Sequence, residues 1–207
     1  TTGNLNTLVG GLAGDALTSG DSNVAVGYEA LTTQIVNGQN VAIGTEALKN
    51  QNVSGHGNNT AVGHQAGLSV TTAVKNTLVG GNAGDAITTG GNNTVLGYDA
   101  LGANTIGNSN VAIGQNAMLT NVAADKNVAV GLGALQAMTS ATTLDTYNTA
   151  VGYNTGTAVT TGTENTLIGG LAGDSITTGS DNVAIGFEAL GQETTGSLNT
   201  AIGHKSL

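Results

Sequence analysis

The side chains of this sequence able to hold or transform a ligand are few: three histidines, thirteen carboxylates and five aromatics in 207 residues. Nucleophilic catalysis and zinc chemistry need histidine, cysteine and carboxylate groups converging on one atom. The chain has no cysteine, and His56, His64 and His204 have no carboxylate constellation beside them in sequence. His64 and His204 share one repeat position eight repeats apart, so a single chain cannot bring them to one substrate. The expectation is no enzyme, no cofactor and no metal. Asp15, Asp85 and Asp174 each follow a glycine in Gly-Asp-Ala or Gly-Asp-Ser. Calcium needs six or more converging oxygens, and these aspartates are far apart along the repeat, so they read as turn residues. Glu29, Glu46, Asp99 and Glu188 share another repeat position and read as a solvated face.

The aromatics are more suggestive. Tyr28, Tyr98, Tyr153 and Phe187 occupy one repeat position, and only Tyr147 does not. Such a column could stack against sugar rings and contact a cell-surface glycan. Equally, each ring could cover the return loop of its neighbour.

What must position these residues is a five-residue phrase, Asn23-Val24-Ala25-Val26-Gly27, that returns throughout the chain. Its copies begin at Asn6, Asn23, Asn40, Asn59, Asn76, Asn93, Asn110, Asn127, Asn148, Asn165, Asn182 and Asn199. The step is 17 residues except for one of 19 and one of 21. Regular spacing on this scale is the signature of stacked repeats, and rungs about 4.8 Å apart give a rod roughly 55 Å long. Counting the Asn as zero, +1 is Thr or Val, +2 is Ala, Leu or Val, +3 is Val, Ile or Leu, and +4 is Gly. That is a short strand ended by a tight corner. Positions +1 and +3 share one face and +2 takes the other, so both faces are apolar and both must be covered. The reading places +3 inside the coil and the Ala-rich +2 position against a neighbouring chain, with the opposite assignment as the alternative. Either way the chain is expected to oligomerise.

Alanine recurs at +7, broken only by Thr155 and Ser206, marking a second space-limited inward position. The rest of each rung is polar, glycine-containing return loop. Both irregular lengths fall there, near residues 50–56 and 138–147. The stacked asparagines are expected to form a ladder, each side-chain amide bonding its neighbours. The stretch Asn6 to Asp15 returns nearly intact at Asn76 to Asp85 and Asn165 to Asp174, so the array grew by duplicating blocks of about four rungs.

Composition narrows the class. With 34 glycines and no tryptophan, proline or cysteine, a thick core is ruled out while a thin one of small aliphatics is not. A net charge of −9 with four basic residues argues against nucleic acid, whose phosphates require a basic stripe. No apolar run approaches the roughly 18 residues of a membrane span, so membrane insertion is not expected. Neither end carries a distinct polar cap, so more chain or another subunit is expected to continue the stack, and residues 1–207 read as one β-solenoid domain within a longer fibre.

Asn-Val-Ala-Ile-Gly at Asn40 to Gly44, Asn110 to Gly114 and Asn182 to Gly186, followed by Ala a few residues on, resembles the head repeats of YadA-like trimeric autotransporter adhesins. It is equally similar to the related repeats of bacteriophage tail fibres and tailspikes. The resemblance covers all twelve rungs. It implies a left-handed parallel β-roll, a homotrimer of chains side by side, and attachment to a cell or host surface from an extracellular or virion location. The adhesin repeat is typically shorter, and the longer loop here looks more like the phage versions. The expected function is a non-enzymatic structural and adhesive segment of a trimeric fibre. The alternative is an ice-binding solenoid, weakened because Thr at +1 gives way to Val in five rungs and because the threonine pairs, such as Thr32-Thr33 and Thr177-Thr178, fall in loops of shifting phase.

Overall fold

The computed structural model describes residues 2–36, 38–140 and 142–207. The strands, in chain order, are β1 (Thr7–Val9), β2 (Val24–Val26), β3 (Val41–Ile43), β4 (Thr60–Val62), β5 (Thr77–Val79), β6 (Thr94–Leu96), β7 (Val111–Ile113), β8 (Ala124–Asp125), β9 (Val128–Val130), β10 (Leu144–Asp145), β11 (Thr149–Val151), β12 (Thr166–Ile168), β13 (Val183–Ile185) and β14 (Thr200–Ile202). Twelve of them, all but β8 and β10, form one parallel sheet in chain order, each strand paired with its counterpart in the adjacent rungs. The register is constant: Ala25 faces Ala42, Ala42 faces Ala61, and so on up the stack. The chain is a parallel β-solenoid. A minor two-stranded sheet, β8 with β10, arises where the 21-residue rung bulges out.

Each rung turns sharply after its strand. Gly27 ends β2 with φ of 136°, and a Cβ there would stand 2.5 Å from the carbonyl oxygen of Gly44 in the next rung, so neither the conformation nor the space admits a side chain. Positions +6, +8 and +16 then adopt left-handed backbone even without glycine, as at Glu29 (φ 56°), Leu31 (φ 54°) and Gln39 (φ 63°). Each such residue costs on the order of 1 kcal/mol. Stacking offsets this, because every turn hydrogen-bonds to the rung above and below.

The side-chain directions correct one expectation. The +2 residues point into the coil: Ala25, Ala42, Leu78, Val95 and Leu167 are fully buried. The +3 residues point outward, with Val9, Ile43, Leu96, Ile168 and Ile202 all exposed. The cause is volume. The +7 alanines, such as Ala30, Ala47 and Ala100, are also fully buried, and so narrow a lumen takes Ala from most strands; where +2 is Leu, as at Leu78 and Leu167, the glycine at +8 (Gly84, Gly173) leaves the room.

The rest of the lumen is filled by exchange between +8 and +11. In four rungs where +8 is Leu or Met (Leu31, Leu48, Leu101, Met118), +11 is a buried amide (Gln34, Gln51, Asn104, Asn121), while Leu135 is followed by buried Met138 and Leu190 by Glu193. Where +8 is Gly (Gly14, Gly67, Gly84, Gly156, Gly173), +11 is an aliphatic (Leu17, Val70, Ile87, Val159, Ile176). A Cβ on Gly84 would meet Ile87 Cδ1 at 2.7 Å and Leu78 Cδ2 at 3.0 Å. The duplicated block beginning at Asn6, Asn76 and Asn165 is therefore a packing unit, Leu at +2 with Gly at +8.

The asparagines form the expected ladder, with Nδ2 donating to the Oδ1 of the preceding asparagine at 3.0 Å from Asn165 to Asn148 and from Asn182 to Asn165, and they make further bonds besides. Each Oδ1 accepts the backbone N–H of the next asparagine, at 2.9 Å from Asn93 to Asn76 and 3.0 Å from Asn110 to Asn93. In rungs of ordinary length Nδ2 reaches across its own return loop to the +14 carbonyl, as Asn76 does to Gly90 (2.9 Å) and Asn93 to Gly107 (3.0 Å). In the two long rungs the amide finds other partners: Gly38 and Gln34 for Asn40, Asp125 and Asn110 for Asn127.

Threonines are also more regular than the loop reading expects. Thr32-Thr33 lies at +9 and +10, but Thr71-Thr72, Thr88-Thr89, Thr160-Thr161, Thr177-Thr178 and Thr194-Thr195 all lie at +12 and +13. The +12 hydroxyl donates to the +12 carbonyl of the next rung, at 3.0 Å from Thr71 to Thr88 and 2.9 Å from Thr88 to Thr105. Backbone N–H groups of +12, +13 and +14 converge on the same oxygen, as those of Thr71, Thr72 and Ala73 do on Thr88.

Candidate functional surfaces

One continuous surface is the outer face of the twelve-stranded sheet. Its +1 and +3 positions are Thr, Val, Ile or Leu in every rung, with no charged residue among them, although the chain carries a net charge of −9. With a strand spacing of about 4.8 Å the stripe runs for roughly 50 Å. A contiguous apolar strip of that extent marks a surface that meets another surface.

The four aromatics at +5 lie along one corner and are about half exposed: Tyr28 53%, Tyr98 54%, Tyr153 57% and Phe187 45%. They stand two to four rungs apart, so they do not merge into one platform. Three of them lie over a glycine of the preceding rung. A Cβ on Gly11 would meet the Tyr28 ring at 3.5 Å, one on Gly81 the Tyr98 ring at 3.4 Å, and one on Gly170 the Phe187 ring at 3.5 Å. The other face of Phe187 stacks on His204, with centroids 5.5 Å apart and planes 15° apart. Phe187 thus presents an edge to the outside, and flat stacking of a sugar on it is blocked.

Beside Tyr28 lies an ion-pair cluster spanning three rungs. Lys49 Nζ is 2.5 Å from Glu29 Oε2 and 2.7 Å from Glu46 Oε1, and Gln65 Nε2 donates to Glu46 Oε2 at 2.7 Å. The Lys49 ammonium holds the Glu29 carboxyl below its usual range; Gln65 and then Lys49 do the same for Glu46. Glu29 in turn raises the Tyr28 phenol by accepting its proton in a hydrogen bond. Glu188 pairs with Lys205 at 3.1 Å. The +6 acids are therefore partly exposed, and paired where a lysine is in reach. Pairs open to solvent on one side contribute little to stability.

Asp85 and Asp174 are pushed up, first by burial and then by the neighbouring carboxylates of Asp99 and Glu188 respectively. Asp174 Oδ1 is buried without a hydrogen-bond partner among the described residues. The structure does not bring Asp15, Asp85 and Asp174 together, and no group of three or more His, Cys, Asp or Glu side chains that could hold a metal ion occurs among the described residues. No helix among the described residues is long and apolar enough to cross a membrane.

Two features escaped sequence reasoning. Glu193 sits at +11, where other rungs place a buried group, and its Oε1 accepts three backbone N–H bonds, from Thr194 (2.9 Å), Thr195 (3.1 Å) and Gly196 (2.6 Å). These N–H groups form the same concave nest that a carbonyl fills in the rungs below, and they hold the Glu193 carboxyl below its usual range, Gly196 contributing most. The departure of an acid from the +11 pattern is the signal that could have found it. The second is a recess beneath the rung-8 insertion, about 280 Å³ in volume and lined by Met138, Thr139, Ser140, Leu144, Thr146, Thr160 and Thr161. The constant +12/+13 phase of the threonines was legible; the folding of the insertion over them was not.

Comparison with family models, characterised proteins and solved structures returns no match.

Proposed function

We propose that this chain is a non-enzymatic rod segment of a trimeric surface fibre, a phage tail fibre or a bacterial adhesin, that spaces and presents contacts for host or cell-surface attachment outside the cell or on a virion. The observation that carries this reading is the outward +3 column: an aliphatic side chain in each of twelve rungs on an uncharged sheet face. Exposed to water, such a stripe is costly at roughly 25 cal/mol per Å². Covered by two further copies of the chain, it becomes a shared core. Acidic residues lie on the other surfaces, where mutual repulsion keeps finished rods apart. Attachment through many weak contacts on three chains would gain strength by avidity.

The test is the oligomeric state. Light scattering should return three chains per particle, and Leu96→Lys with Ile168→Lys should release single chains that keep their β-sheet circular dichroism. A wild-type monomer would sink the reading.

A second reading, ice binding, draws support from the same correction, since outward +3 methyls beside the outward +1 threonines make a regular hydroxyl and methyl array. Thermal hysteresis in a monomeric preparation would favour it.

A further inference from the structure

We propose that the recess beneath the rung-8 insertion is a binding site for one unit of a neutral saccharide, an inference that rests on the attachment reading and names where and what the fibre would hold. The rung from Asn127 to Tyr147 is 21 residues long against the usual 17. Its extra residues do not simply loop into solvent. Leu144 and Asp145 pair as β10 with β8, and Leu144 lies beside the threonine track.

The floor is made by consecutive +12/+13 pairs, Thr139 and Ser140 from rung 8 and Thr160 and Thr161 from rung 9, residues that only stacking makes neighbours. Met138, itself buried, and Leu144 give one apolar side, and Thr146 closes the other. The volume, about 280 Å³, lies just below the usual range for small-molecule sites and suits a single ring rather than a large ligand.

The lining selects the chemistry. It contains five hydroxyls and no charged side chain. Asp145, the nearest carboxylate in sequence, is bound to Lys126 at 2.7 Å and accepts the Tyr147 hydroxyl at 3.0 Å, so its charge is matched outside the recess. Three of the hydroxyl protons are committed within the protein: Ser140 donates to the Thr142 carbonyl, Thr146 to Asn127 Oδ1 and Thr160 to the Thr177 carbonyl. Those oxygens keep acceptor capacity. Among the described residues the Thr139 and Thr161 hydroxyls have no such commitment, and they can both donate and accept. A mixture of free donors and fixed acceptors beside an apolar wall is what a sugar ring needs, with its hydroxyl rim and its C–H face. An anionic ligand would find no cation here. The +5 aromatics Tyr28, Tyr98 and Phe187 offer a poorer surface, because one face of each ring lies over a glycine of the preceding rung.

The test uses the intact rod on an array of neutral saccharides (terminal glucose, galactose, mannose, fucose and N-acetylglucosamine) together with sialylated and sulfated ones, followed by calorimetric titration of the best neutral binder. Wild type should bind a neutral saccharide. Thr139→Val with Thr161→Val, which keeps shape and removes the free hydroxyls, should weaken binding at least about tenfold, the loss of one to two hydrogen bonds. Thr161→Phe, which fills the recess from an exposed position, should abolish it, whereas Tyr28→Ala with Tyr98→Ala should leave it unchanged. Binding only of anionic saccharides, no binding, or binding insensitive to both recess variants would overturn the proposal. Light scattering on the same samples separates the two readings: a monomer that binds through the recess overturns the trimer alone, and a trimer that binds nothing overturns the recess alone.

Discussion

Asn93 and Asn110 are joined through one oxygen: the side-chain carbonyl of Asn93 accepts the backbone N–H of Asn110 at 3.0 Å, while the Asn93 amide donates to the Gly107 carbonyl at 3.0 Å. One side chain thereby closes its own rung and tethers the next. Because Asn93 and Asn110 are both buried, neither partner can turn to water instead.

Asn93→Ala should therefore leave an N–H and a carbonyl unsatisfied in the interior, a loss of roughly 2–4 kcal/mol. Urea denaturation followed by circular dichroism measures it. A change below about 0.5 kcal/mol would mean the ladder is ornamental.

The exchange between +8 and +11 can be tested by transplantation. Gly84→Leu alone forces a side chain against Ile87 and Leu78 and should destabilise by about 1–3 kcal/mol. The left-handed backbone is no obstacle, since Leu48 and Leu101 adopt it at the same position with φ of 49° and 53°. Adding Leu78→Ala and Ile87→Gln recreates the Ala42, Leu48, Gln51 rung, and most of the lost stability should return. If the triple variant is no better than the single one, lumen volume is not what links these positions.

Two carboxyls should shape the pH profile in opposite senses. The Glu193 carboxyl is lowered in the folded chain by its three N–H bonds, so its contribution is present above the unfolded pKa and fades as pH falls through the lower folded one. Glu193→Gln should flatten that acid-side loss. Asp85 is raised by burial, so ionising it opposes folding, and stability declines as pH rises from the unfolded value through the folded one. Asp85→Asn should stabilise the chain at neutral pH, by less than about 1 kcal/mol because the group is partly solvated. Thermal melts from pH 3 to 7 (about 1 unit apart) would reveal both slopes; parallel profiles for wild type and variants would contradict them.

The Phe187 ring separates covering from binding. Held between Gly170 and His204, it should act on local stability, so Phe187→Ala is expected to lower the melting temperature by a few degrees, on the scale of about 1 kcal/mol, without changing saccharide retention. Loss of retention with an unchanged melt would restore the aromatic corner as the contact surface.

The period, the strand at +1 to +3, the glycine corner and the inward alanine at +7 were legible from residues alone, because stacking demands that every rung repeat the same solution and so writes it into the chain twelve times. The direction of the strand was not. With Val at +1, Ala at +2 and Ile at +3, alternation of apolar with apolar carries no sign, and only the width of the lumen, shared with buried residues such as Ala30 and Ala47, decides that Ala25 and Ala42 go in and Ile43 goes out. The pairing of Gly84 with Ile87 and of Leu48 with Gln51 was visible as letters but acquires meaning only when the two share one volume. The recess between Thr139, Leu144 and Thr161 lay furthest from reach, since its walls are separate in sequence and become neighbours through the stacking of one rung on the next.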